Sequence, residues 1–204
     1  MKKYPSITNV LYKHNAYVFN KLDGCNVRAE WSPKRGFYKF GSRRRLVGRD
    51  DEIFGRVYDL IPSKYEELEK IAKKNRWKKA VFFFELYGPS SFAGQHHPDE
   101  ELTVTLIDVA VDNKGILLPK TFLKIFQDKV EIPDLLYQGK IDGALVHKIR
   151  SGNLEGMSLE GVVCKANQYE SPGLPFMWKI KTNEWLEMVR ELCGDDEDLF
   201  KKIS

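Results

Sequence analysis

Short strand-like segments joined by tight turns constrain the fold of this 204-residue chain more than any other feature. Residues 25–31 (CNVRAEW) alternate apolar and polar side chains, which is typical of a strand buried on one face. The turn at residues 32–36 separates them from a second strand-like run at 36–40, so the two runs predict an antiparallel hairpin. Further strands are predicted at residues 16–19, 81–86, 102–111, 159–166 and 175–181.

Helical patterns are fewer than strand patterns. Ser63–Glu66 has the spacing of a capping box, which predicts the start of a helix. Pro119 precedes an apolar run at residues 121–127 that also predicts a helix. Further helices are predicted at residues 142–150 and at 184–192, the second capped by Asn183. Strands joined by hairpin-like links predict the α+β class with mostly antiparallel sheets flanked by helices.

The composition is that of a folded protein with one main domain. Hydrophobic residues make up 42% of the chain and the mean hydropathy is −0.44, so the apolar surface can offset the entropy of ordering the chain. We expect one domain at residues 1–182 and a helical tail at 183–204 that packs on it or extends from it. No apolar run reaches the length of about 18 residues that predicts a membrane span.

The cysteines and histidines do not form a metal-binding pattern. The three cysteines lie far apart without C-x-x-C spacing, which fits a reducing cytoplasm and predicts neither a disulfide nor a zinc site. Cys25 and Cys164 are expected to pack inside the sheet. His96 and His97 are adjacent and follow a Gly-Pro-Ser-Ser run, so a solvated loop is favoured over a zinc site there.

Basic residues are concentrated in the body of the chain and acidic residues near its C-terminus. The net charge of +4 divides into −4 for residues 183–204 (three basic, seven acidic) and +8 for residues 1–182 (30 basic, 22 acidic). Residues 34–49 contain seven basic side chains and no acidic one. The seven are Lys34, Arg35, Lys39, Arg43, Arg44, Arg45 and Arg49. By itself the cluster fits a solvated hairpin as well as a surface for a polyanion, because aromatic residues are interleaved with the cations.

One lysine stands where it could act as a nucleophile. Lys21 follows the predicted strand at residues 16–19 and begins the sequence Lys-Leu-Asp-Gly. A lysine amine is nucleophilic only when it is unprotonated, which a desolvated or electropositive cleft at a strand end can provide. On its own, however, Lys-x-Asp-Gly is also typical of a hairpin turn.

Five further short motifs follow Lys21 along the chain. They are Gly41-Ser42-Arg43, Phe84-Glu85-Leu86-Tyr87-Gly88, Leu106-Ile107-Asp108-Val109, Glu160-Gly161-Val162-Val163-Cys164-Lys165 and Trp178-Lys179-Ile180-Lys181. The ordered series resembles the six collinear motifs of the covalent nucleotidyltransferase superfamily, which comprises ATP-dependent DNA ligases, RNA ligases and mRNA capping enzymes. The resemblance extends from Lys21 to Lys181 and implies the nucleotidyltransferase (ligase adenylation) fold.

The resemblance implies a catalytic set that moves AMP from ATP to Lys21 as a lysyl-AMP phosphoramide. Lys179 and Lys181 alternate on a strand, so they share a face and would flank the α-phosphate. Their like charge would also lower the pKa of Lys21. The transfer needs a metal and a carboxylate to hold it. The resemblance assigns that metal-linked position to Glu160 and implies Mg²⁺ as cofactor.

The resemblance assigns four more residues to binding the nucleotide. Arg43 and Glu85 would contact the ribose. Asn26 would face the α-phosphate or a metal-bound water, and Lys165 would reach phosphate.

Two details of nucleotide binding stay open in the sequence. Arg43, Arg44 and Arg45 are adjacent, so the motif arginine could be any of the three. Relatives usually place an aromatic residue on the adenine just before the position of Asp108. Because Ile107 stands there, either an aliphatic side chain packs on the base or an aromatic arrives from elsewhere.

Two features favour an RNA ligase over its relatives. DNA ligases and capping enzymes usually carry arginine five residues after the motif lysine, whereas Asn26 is similar to RNA ligases of the T4 phage ligase-2 type. Only 23 residues follow Lys181, whereas an OB-fold needs roughly 80 to 100. We therefore expect an adenylyltransferase domain with no OB-fold, of the stand-alone kind found in bacteriophages, located in the cytoplasm of the host.

The sequence thus predicts an ATP-dependent RNA ligase of RNA repair that joins a 5′-phosphate end to a 3′-hydroxyl. We expect a monomer without membrane attachment, and the missing accessory domain leaves a need for a partner protein open. The hairpin cations would hold nucleic-acid phosphates. Those cations are Lys39, Arg44, Arg45 and Arg49. Two alternatives remain: a minimal ATP-dependent DNA or nick-sealing ligase, and a partner-dependent nucleic-acid-binding module that keeps the fold without sealing ends.

Overall fold

The computed structural model of the chain describes residues 1–88 and 99–203. The strands of this part, in chain order, are β1 (Asn15–Asn20), β2 (Cys25–Ser32), β3 (Gly36–Ser42), β4 (Ala80–Tyr87), β5 (Thr103–Val111), β6 (Gly115–Ile116), β7 (Leu135–Lys140), β8 (Gly161–Ser171) and β9 (Leu174–Lys181). Its helices are α1 (Val57–Lys64), α2 (Glu66–Lys74), α3 (Pro119–Phe126), α4 (Gly143–Arg150), α5 (Asn183–Cys193) and α6 (Glu197–Ile203). His96 and His97 lie outside the described residues.

The strands form two antiparallel sheets. The first sheet has the order β7-β1-β8-β9, and the second has the order β3-β2-β4-β5-β6. The predicted class, α+β with mostly antiparallel sheet, is confirmed. The predicted hairpin at residues 25–40 is β2 paired with β3.

Two strands carry no clear signal in the sequence. β6 has only two residues, which is too short for any periodicity to show. β7 lies at the edge of the first sheet, and none of its side chains is fully buried. Leu136 packs against the smaller core but stays partly exposed, and the run LLYQGK shows no regular alternation of apolar and polar residues.

The predicted capping box at Ser63–Glu66 is wrong. Ser63 lies in the last turn of α1, and α2 begins at Glu66 with no side-chain cap. The junction is instead fixed by Tyr65, whose hydroxyl donates to the carbonyl of Val104 and accepts from the amide of Leu106. A tertiary contact of a buried side chain therefore sets the break between the two helices.

The start of α5 also differs by one residue from its prediction. Thr182, rather than Asn183, is the N-cap, and its hydroxyl accepts a hydrogen bond from the amide of Trp185 at 3.1 Å. The helix ends at Gly194, whose φ of 53° is in the left-handed region that favours glycine.

Two separate cores support the two sheets. The larger core packs the second sheet against α1, α2 and α3, with Trp31, Phe82 and Leu106 fully buried. The smaller core packs the first sheet with Ile149 of α4, around Val18 and Trp178. A third apolar cluster lies on the other face of the second sheet, where Phe83 is buried and Leu174 of β9 packs against it.

The C-terminal helices form a small cluster of their own. Trp185, Val189 and Cys193 of α5 pack with Phe200 and Ile203 of α6. The division into a domain at 1–182 and a tail at 183–204 stays a prediction. Over the described residues, no helix is both long and apolar enough to cross a membrane.

The cysteines differ in their surroundings. Cys164 is buried, as predicted, but Cys25 is exposed. It shares a face of β2 with the buried Val27, but it is the first residue of the strand and lies beyond the edge of the core. Both of them, and Cys193, are free thiols.

Candidate functional site

A cavity of about 530 Å³ lies between the two sheets. Its lining includes all eight side chains predicted for catalysis and nucleotide binding. They are Lys21, Asn26, Arg43, Glu85, Glu160, Lys165, Lys179 and Lys181. Residues from five separate motifs thus meet in one cavity. If each motif were only a turn or a solvated strand end, there would be no reason for all of them to face the same cavity.

Strand pairing brings Lys21 to Glu160. β1 and β8 are antiparallel with Asn20 opposite Val162, so the residues just beyond this pair also face each other. The amide of Lys21 donates to the carbonyl of Gly161 at 3.0 Å. The Lys21 Nζ lies 2.7 Å from Glu160 Oε1, and the two side chains are 20% and 5% exposed. The lysine and the carboxylate therefore form a largely buried ion pair.

Gly161 allows the chain to pass close to the neighbouring strand. Its φ is 125°, and an added Cβ would lie 2.2 Å from the carbonyl oxygen of Ile180. A side chain at this position would push β8 away from β9. Glycine after Glu160 therefore keeps the carboxylate next to the lysines of β9.

Lys179 and Lys181 reach the cavity from β9. Both line it, as their alternation in the strand predicts. Lys181 Nζ lies 3.4 Å from Glu160 Oε1 and donates to the carbonyl of Ile203 at 2.9 Å. It also lies 3.4 Å from the ring centroid of Trp185, so the C-terminal helices help to hold this amine.

The second sheet contributes Asn26 and Glu85. The two residues are direct partners on β2 and β4, so their side chains stand together at the end of the sheet that faces the cavity. The Asn26 amide group donates to the carbonyl of Phe84 at 3.4 Å. The turn before β2 is close-packed, because an added Cβ at Gly24 would lie 2.4 Å from the carbonyl oxygen of Leu86. Glycine after Asp23 therefore holds the Lys21 turn against β4.

Of the three adjacent arginines, Arg43 lines the cavity. Its Nη2 donates to Ser6 Oγ at 2.9 Å. Arg45 is turned away and pairs with Asp51 at 2.5 Å. Arg44 is exposed and lines none of the four cavities found among the described residues. The geometry therefore favours Arg43 as the motif arginine.

The other predicted hairpin cations lie outside the cavity. Lys39 is half-buried on β3, directly opposite Glu30 of β2. Arg49 pairs with Asp59 at 2.8 Å and lies over the ring of Tyr58. Arg45 and Arg49 are therefore already partnered by carboxylates of the same chain, whereas Arg44 has no recorded partner among residues 1–88 and 99–203.

Lys165 lines the cavity but has protein partners for its amine. Its Nζ donates to Asp108 Oδ2 at 2.7 Å and to the carbonyl of Ile107 at 2.9 Å. Asp108 also accepts from the hydroxyl of Tyr4 at 2.5 Å. This buried network ties β8 to β5 and to the N-terminal segment. In this arrangement Lys165 supports the cavity wall at Ile107, and its expected contact with phosphate stays a prediction.

Several lining residues are not evident from the motifs. Phe19 lines the cavity together with Ile107, so an aromatic and an aliphatic side chain are both available to a base. Phe19 stands two residues before Lys21, and the period of a strand could have identified it. Lys201 and Ile203 of α6 also line the cavity, although nothing in their local sequence indicates this.

The residues at 4–9 form a further part of the wall that sequence reasoning missed. Thr8 makes an isolated parallel bridge with Trp178, and the amide of Lys179 donates to the carbonyl of Thr8 at 2.9 Å. This N-terminal segment thus lies along β9. Only the pairing in the folded chain places it beside Lys179 and Lys181.

The expected low pKa of Lys21 is wrong for this arrangement. Burial lowers the pKa of Lys21, but the carboxylates of Glu160 and Glu85 raise it by more, so the pKa lies above its ordinary value. The opposite holds for the two lysines of β9. Burial and the charge of Lys21 lower the pKa of Lys179, and burial with its lysine neighbours lowers the pKa of Lys181 to about 7 although Glu160 opposes this.

Glu85 has a strongly perturbed carboxyl group. Burial raises the pKa of Glu85 to about 7; the charge of Lys21 opposes this shift and that of Glu160 adds to it. Such perturbed groups in one cavity are characteristic of functional sites.

The cavity has oxygen atoms that fit a divalent metal. Among the described residues, no group of three or more His, Cys, Asp or Glu side chains could hold a metal by itself. However, Glu160 Oε2 and Asn26 Oδ1 are buried without a hydrogen-bond partner, and both residues line the cavity. Magnesium is often held by one or two protein oxygens together with substrate phosphates. The donor set therefore fits a metal that arrives with a phosphate ligand.

The fold is similar to that of solved RNA ligase structures. A mutant of Naegleria gruberi RNA ligase with AMP and Mn matches with a TM-score of 0.66 and 14% sequence identity, over 92% of this chain and 57% of that one. Another mutant of the same ligase, with ATP and Mn, matches with a TM-score of 0.64 and 15% identity over the same shares. The same ligase with PPi matches with a TM-score of 0.58 and 16% identity, over 88% of this chain and 52% of that one.

These likenesses concern the fold, because the sequence identities are low. This chain spans 57% of the length of the first two matched structures. No family model matches the sequence, and no curated protein does. The similarity to phage ligases of the ligase-2 type stays a prediction.

Proposed function

We propose that the protein is an ATP-dependent RNA ligase that works through a lysyl-AMP intermediate on Lys21. The observation that carries the proposal is the meeting of all eight predicted residues in one cavity of a fold similar to RNA ligases. The ligands named with the Naegleria gruberi structures, which are ATP, AMP, PPi and Mn, agree with a site for a nucleotide and a divalent metal.

The reaction would proceed in three displacements at phosphorus. First, the neutral Nζ of Lys21 forms a bond to the α-phosphorus of ATP and loses a proton to water, and the bond to pyrophosphate breaks. Next, an oxygen of an RNA 5′-phosphate forms a bond to the AMP phosphorus, and the bond to Lys21 Nζ breaks as the nitrogen takes up a proton from water. Finally, the 3′-hydroxyl oxygen attacks the 5′-phosphate, loses its proton and expels AMP.

Residues of both sheets would share the work of the first step. Lys179 and Lys181 stand where they can stabilise the negative charge that develops on the α-phosphate. Arg43 and Glu85 would bind the ribose, and Lys165 would keep the wall at Ile107 in place for the base. The partly buried cavity strengthens each of these electrostatic contacts relative to water.

Lys21 must lose a proton before it can attack. Its amine is held as an ammonium group beside the carboxylate of Glu160. Glu160 would therefore hold Lys21 in position, and the proton would pass to water when the nucleotide binds. A divalent metal held by Glu160 and Asn26 would neutralise phosphate charge and act as a Lewis acid.

The proposal is tested by incubating the purified protein with α-labelled ATP and Mg²⁺ or Mn²⁺. We expect a covalent protein–AMP adduct that is stable to denaturant and absent in Lys21→Ala. The matched control is Lys140→Ala, an exposed lysine on β7 that lines none of the described cavities. Absence of the adduct in the wild type, or equal labelling of Lys21→Ala, would contradict the proposal.

The substrate class is tested by sealing of nicked duplexes. We expect a nick with RNA on both sides to be sealed faster than the same nick in DNA. Equal or faster sealing of all-DNA nicks would contradict the assignment as an RNA ligase and favour a minimal DNA ligase. Adduct formation without sealing of any nick would favour a module that depends on a partner protein.

A further inference from the structure

A second groove adjoins the cavity at the lysines of β9. It has a volume of about 420 Å³, and Asn9, Lys179 and Lys181 line both the groove and the cavity. Neither Lys21 nor Glu160 is part of its lining. The groove therefore continues from the lysines of β9 on a side that Lys21 does not reach.

The lining of this groove is basic. Lys179, Lys181 and Arg150 contribute three cations, and no described residue contributes a carboxylate. Arg150 is the last residue of α4, is exposed, and has no recorded ion-pair or hydrogen-bond partner within residues 1–88 and 99–203. Lys181 also pairs with Glu160 of the adjoining cavity, so Arg150 is the cation of this groove that is best placed to attract an anion. A guanidinium group can in addition bind a phosphate through two parallel hydrogen bonds.

The groove also has an apolar wall. Leu11, Leu186 and Phe200 line it, and the ring of Phe200 is half-buried. The guanidinium carbon of Arg190 lies 3.6 Å from the centroid of this ring and holds it in place. Cations next to an aromatic side chain are typical of sites for single-stranded nucleic acid, where phosphates and bases are bound together. An inorganic phosphate or pyrophosphate ion has no apolar group that could contact this wall.

The proposed chemistry requires the RNA 5′-phosphate to approach the AMP phosphorus from the side opposite Lys21. In a displacement at phosphorus, the attacking and leaving atoms lie roughly in line. When the 5′-phosphate oxygen attacks the AMP phosphorus, the leaving atom is Lys21 Nζ, so the RNA end must arrive on the side opposite Lys21. The groove begins at the lysines expected to flank that phosphorus and is not lined by Lys21.

We propose that this groove binds the 5′-phosphorylated end of the RNA strand, with Arg150 contacting its phosphate backbone and Phe200 contacting a base. The proposal deepens the proposed function and rests on it. The 5′-phosphate would enter at Lys179 and Lys181, and the following nucleotides would lie along the groove towards α4.

Binding of RNA provides the first test and needs no catalysis. A short fluorescent oligoribonucleotide is titrated with protein, without ATP, in two forms that carry a 5′-phosphate or a 5′-hydroxyl. We expect tighter binding of the phosphorylated form, and a loss on the order of tenfold in Arg150→Gln. The matched control Lys148→Gln, an exposed cation two residues earlier on α4, should change binding less than about twofold. Equal effects of the two substitutions, or none for Arg150→Gln, would overturn the proposal.

Separate measurement of each reaction step provides the second test. In Arg150→Gln we expect normal self-adenylation and a slower transfer of AMP to the RNA 5′-phosphate. If Arg150→Gln binds RNA normally but lysyl-AMP reacts more slowly with pyrophosphate to re-form ATP, the proposal is overturned. The groove would then be assigned to pyrophosphate. If the wild type forms no lysyl-AMP, the proposed function fails, and the binding test still decides whether the groove holds an RNA end.

Discussion

Lys21 carries a proton in the nucleotide-free cavity, although its proposed chemistry needs a neutral amine. The two carboxylates near it raise its pKa, whereas the lysines of β9 have lowered pKa values. Burial lowers the pKa of Lys179 and Lys181 most, and the repulsion from neighbouring lysines adds to it. An anionic ligand would relieve this repulsion, so the cavity favours a phosphate group.

Glu85 makes the stability of the free protein depend on pH. Its folded-state pKa of about 7 lies above the ordinary value of 4.5, so the native state binds this proton more tightly than the unfolded state does. This stabilisation is present below about pH 4.5 and is lost as the pH rises to 7. The contribution has an upper bound of about 3 kcal/mol.

We therefore expect Glu85→Gln to remove part of the fall in unfolding free energy between pH 4.5 and 7. Urea denaturation of the wild type and the variant across this range measures the difference. The control Glu170→Gln changes an exposed carboxylate on β8 and should keep the wild-type slope. Parallel pH profiles for wild type and Glu85→Gln would show that the native pKa of Glu85 is not raised.

At the scale of elements, a buried ion pair joins the two sheets. Lys165 of β8 and Asp108 of β5 are 7% and 1% exposed, and their contact is 2.7 Å. Removing one partner of a buried pair leaves an uncompensated charge, which costs about 3 to 5 kcal/mol. Replacing both partners by apolar residues avoids that cost.

We expect Asp108→Ala to lower the unfolding free energy by about that amount, and the double variant Asp108→Leu with Lys165→Met to recover much of it. Chemical denaturation of the single and double variants measures this coupling. If the double variant is as unstable as Asp108→Ala, the loss comes from packing and not from an unpaired Lys165.

The segment after β3 offers a second prediction at this scale. Arg49 is paired with Asp59, whereas Arg44 is exposed without a recorded partner in the described part of the chain. An arginine that already has a carboxylate partner gains less from binding a phosphate. Of the predicted hairpin cations, Arg44 should therefore contribute most to contacts with polynucleotide.

We expect Arg44→Gln to weaken polynucleotide binding and to reduce the slope of log affinity against log salt by about 1. Arg49→Gln, at the other end of the same segment, is the matched comparison and should change the slope less. Titrations at several salt concentrations give both slopes. An unchanged slope in Arg44→Gln would show that the hairpin is a solvated surface that does not contact nucleic acid.

At the scale of the whole molecule, the cavity lies between two sheets with separate cores. A ligand that contacts both sheets binds only the folded protein and therefore stabilises it. At a concentration 100 times its dissociation constant, the gain is about 2.7 kcal/mol. For a chain of this size, that gain corresponds to a rise in Tm of about 5 to 10 °C.

We expect ATP with Mg²⁺ to raise Tm in this range and Arg43→Gln to reduce the rise. Lys140→Gln, on the outer edge of the first sheet, should leave it unchanged. Thermal unfolding with increasing ATP measures the effect. No rise at millimolar ATP would mean that the nucleotide does not bind between the sheets.

Much of the fold and site could be predicted because each signal is local. Strands covered on one face, such as β2, alternate apolar and polar side chains. The edge strand β7 was not predicted, because it is only partly covered and its residues do not alternate. The motifs that contain the lysines, the carboxylates and the arginine could be recognised in the sequence, because each is a short run of characteristic residue types. Tyr4, Lys201 and Ile203 also line the cavity, but no local pattern in the sequence indicates this.

The sequence by itself determined the α+β class, most of the strands and helices, and eight of the residues that line the cavity. Only the tertiary structure decided which of three arginines faces it, where α1 ends and α2 begins, and that Lys165 holds Asp108. It also decided the direction of the pKa shift of Lys21, which depends on the distance to Glu160. Hydrophobic periodicity and motif spacing act along the chain, whereas side-chain pairing and desolvation depend on residues far apart in sequence, which only the packed sheets bring together.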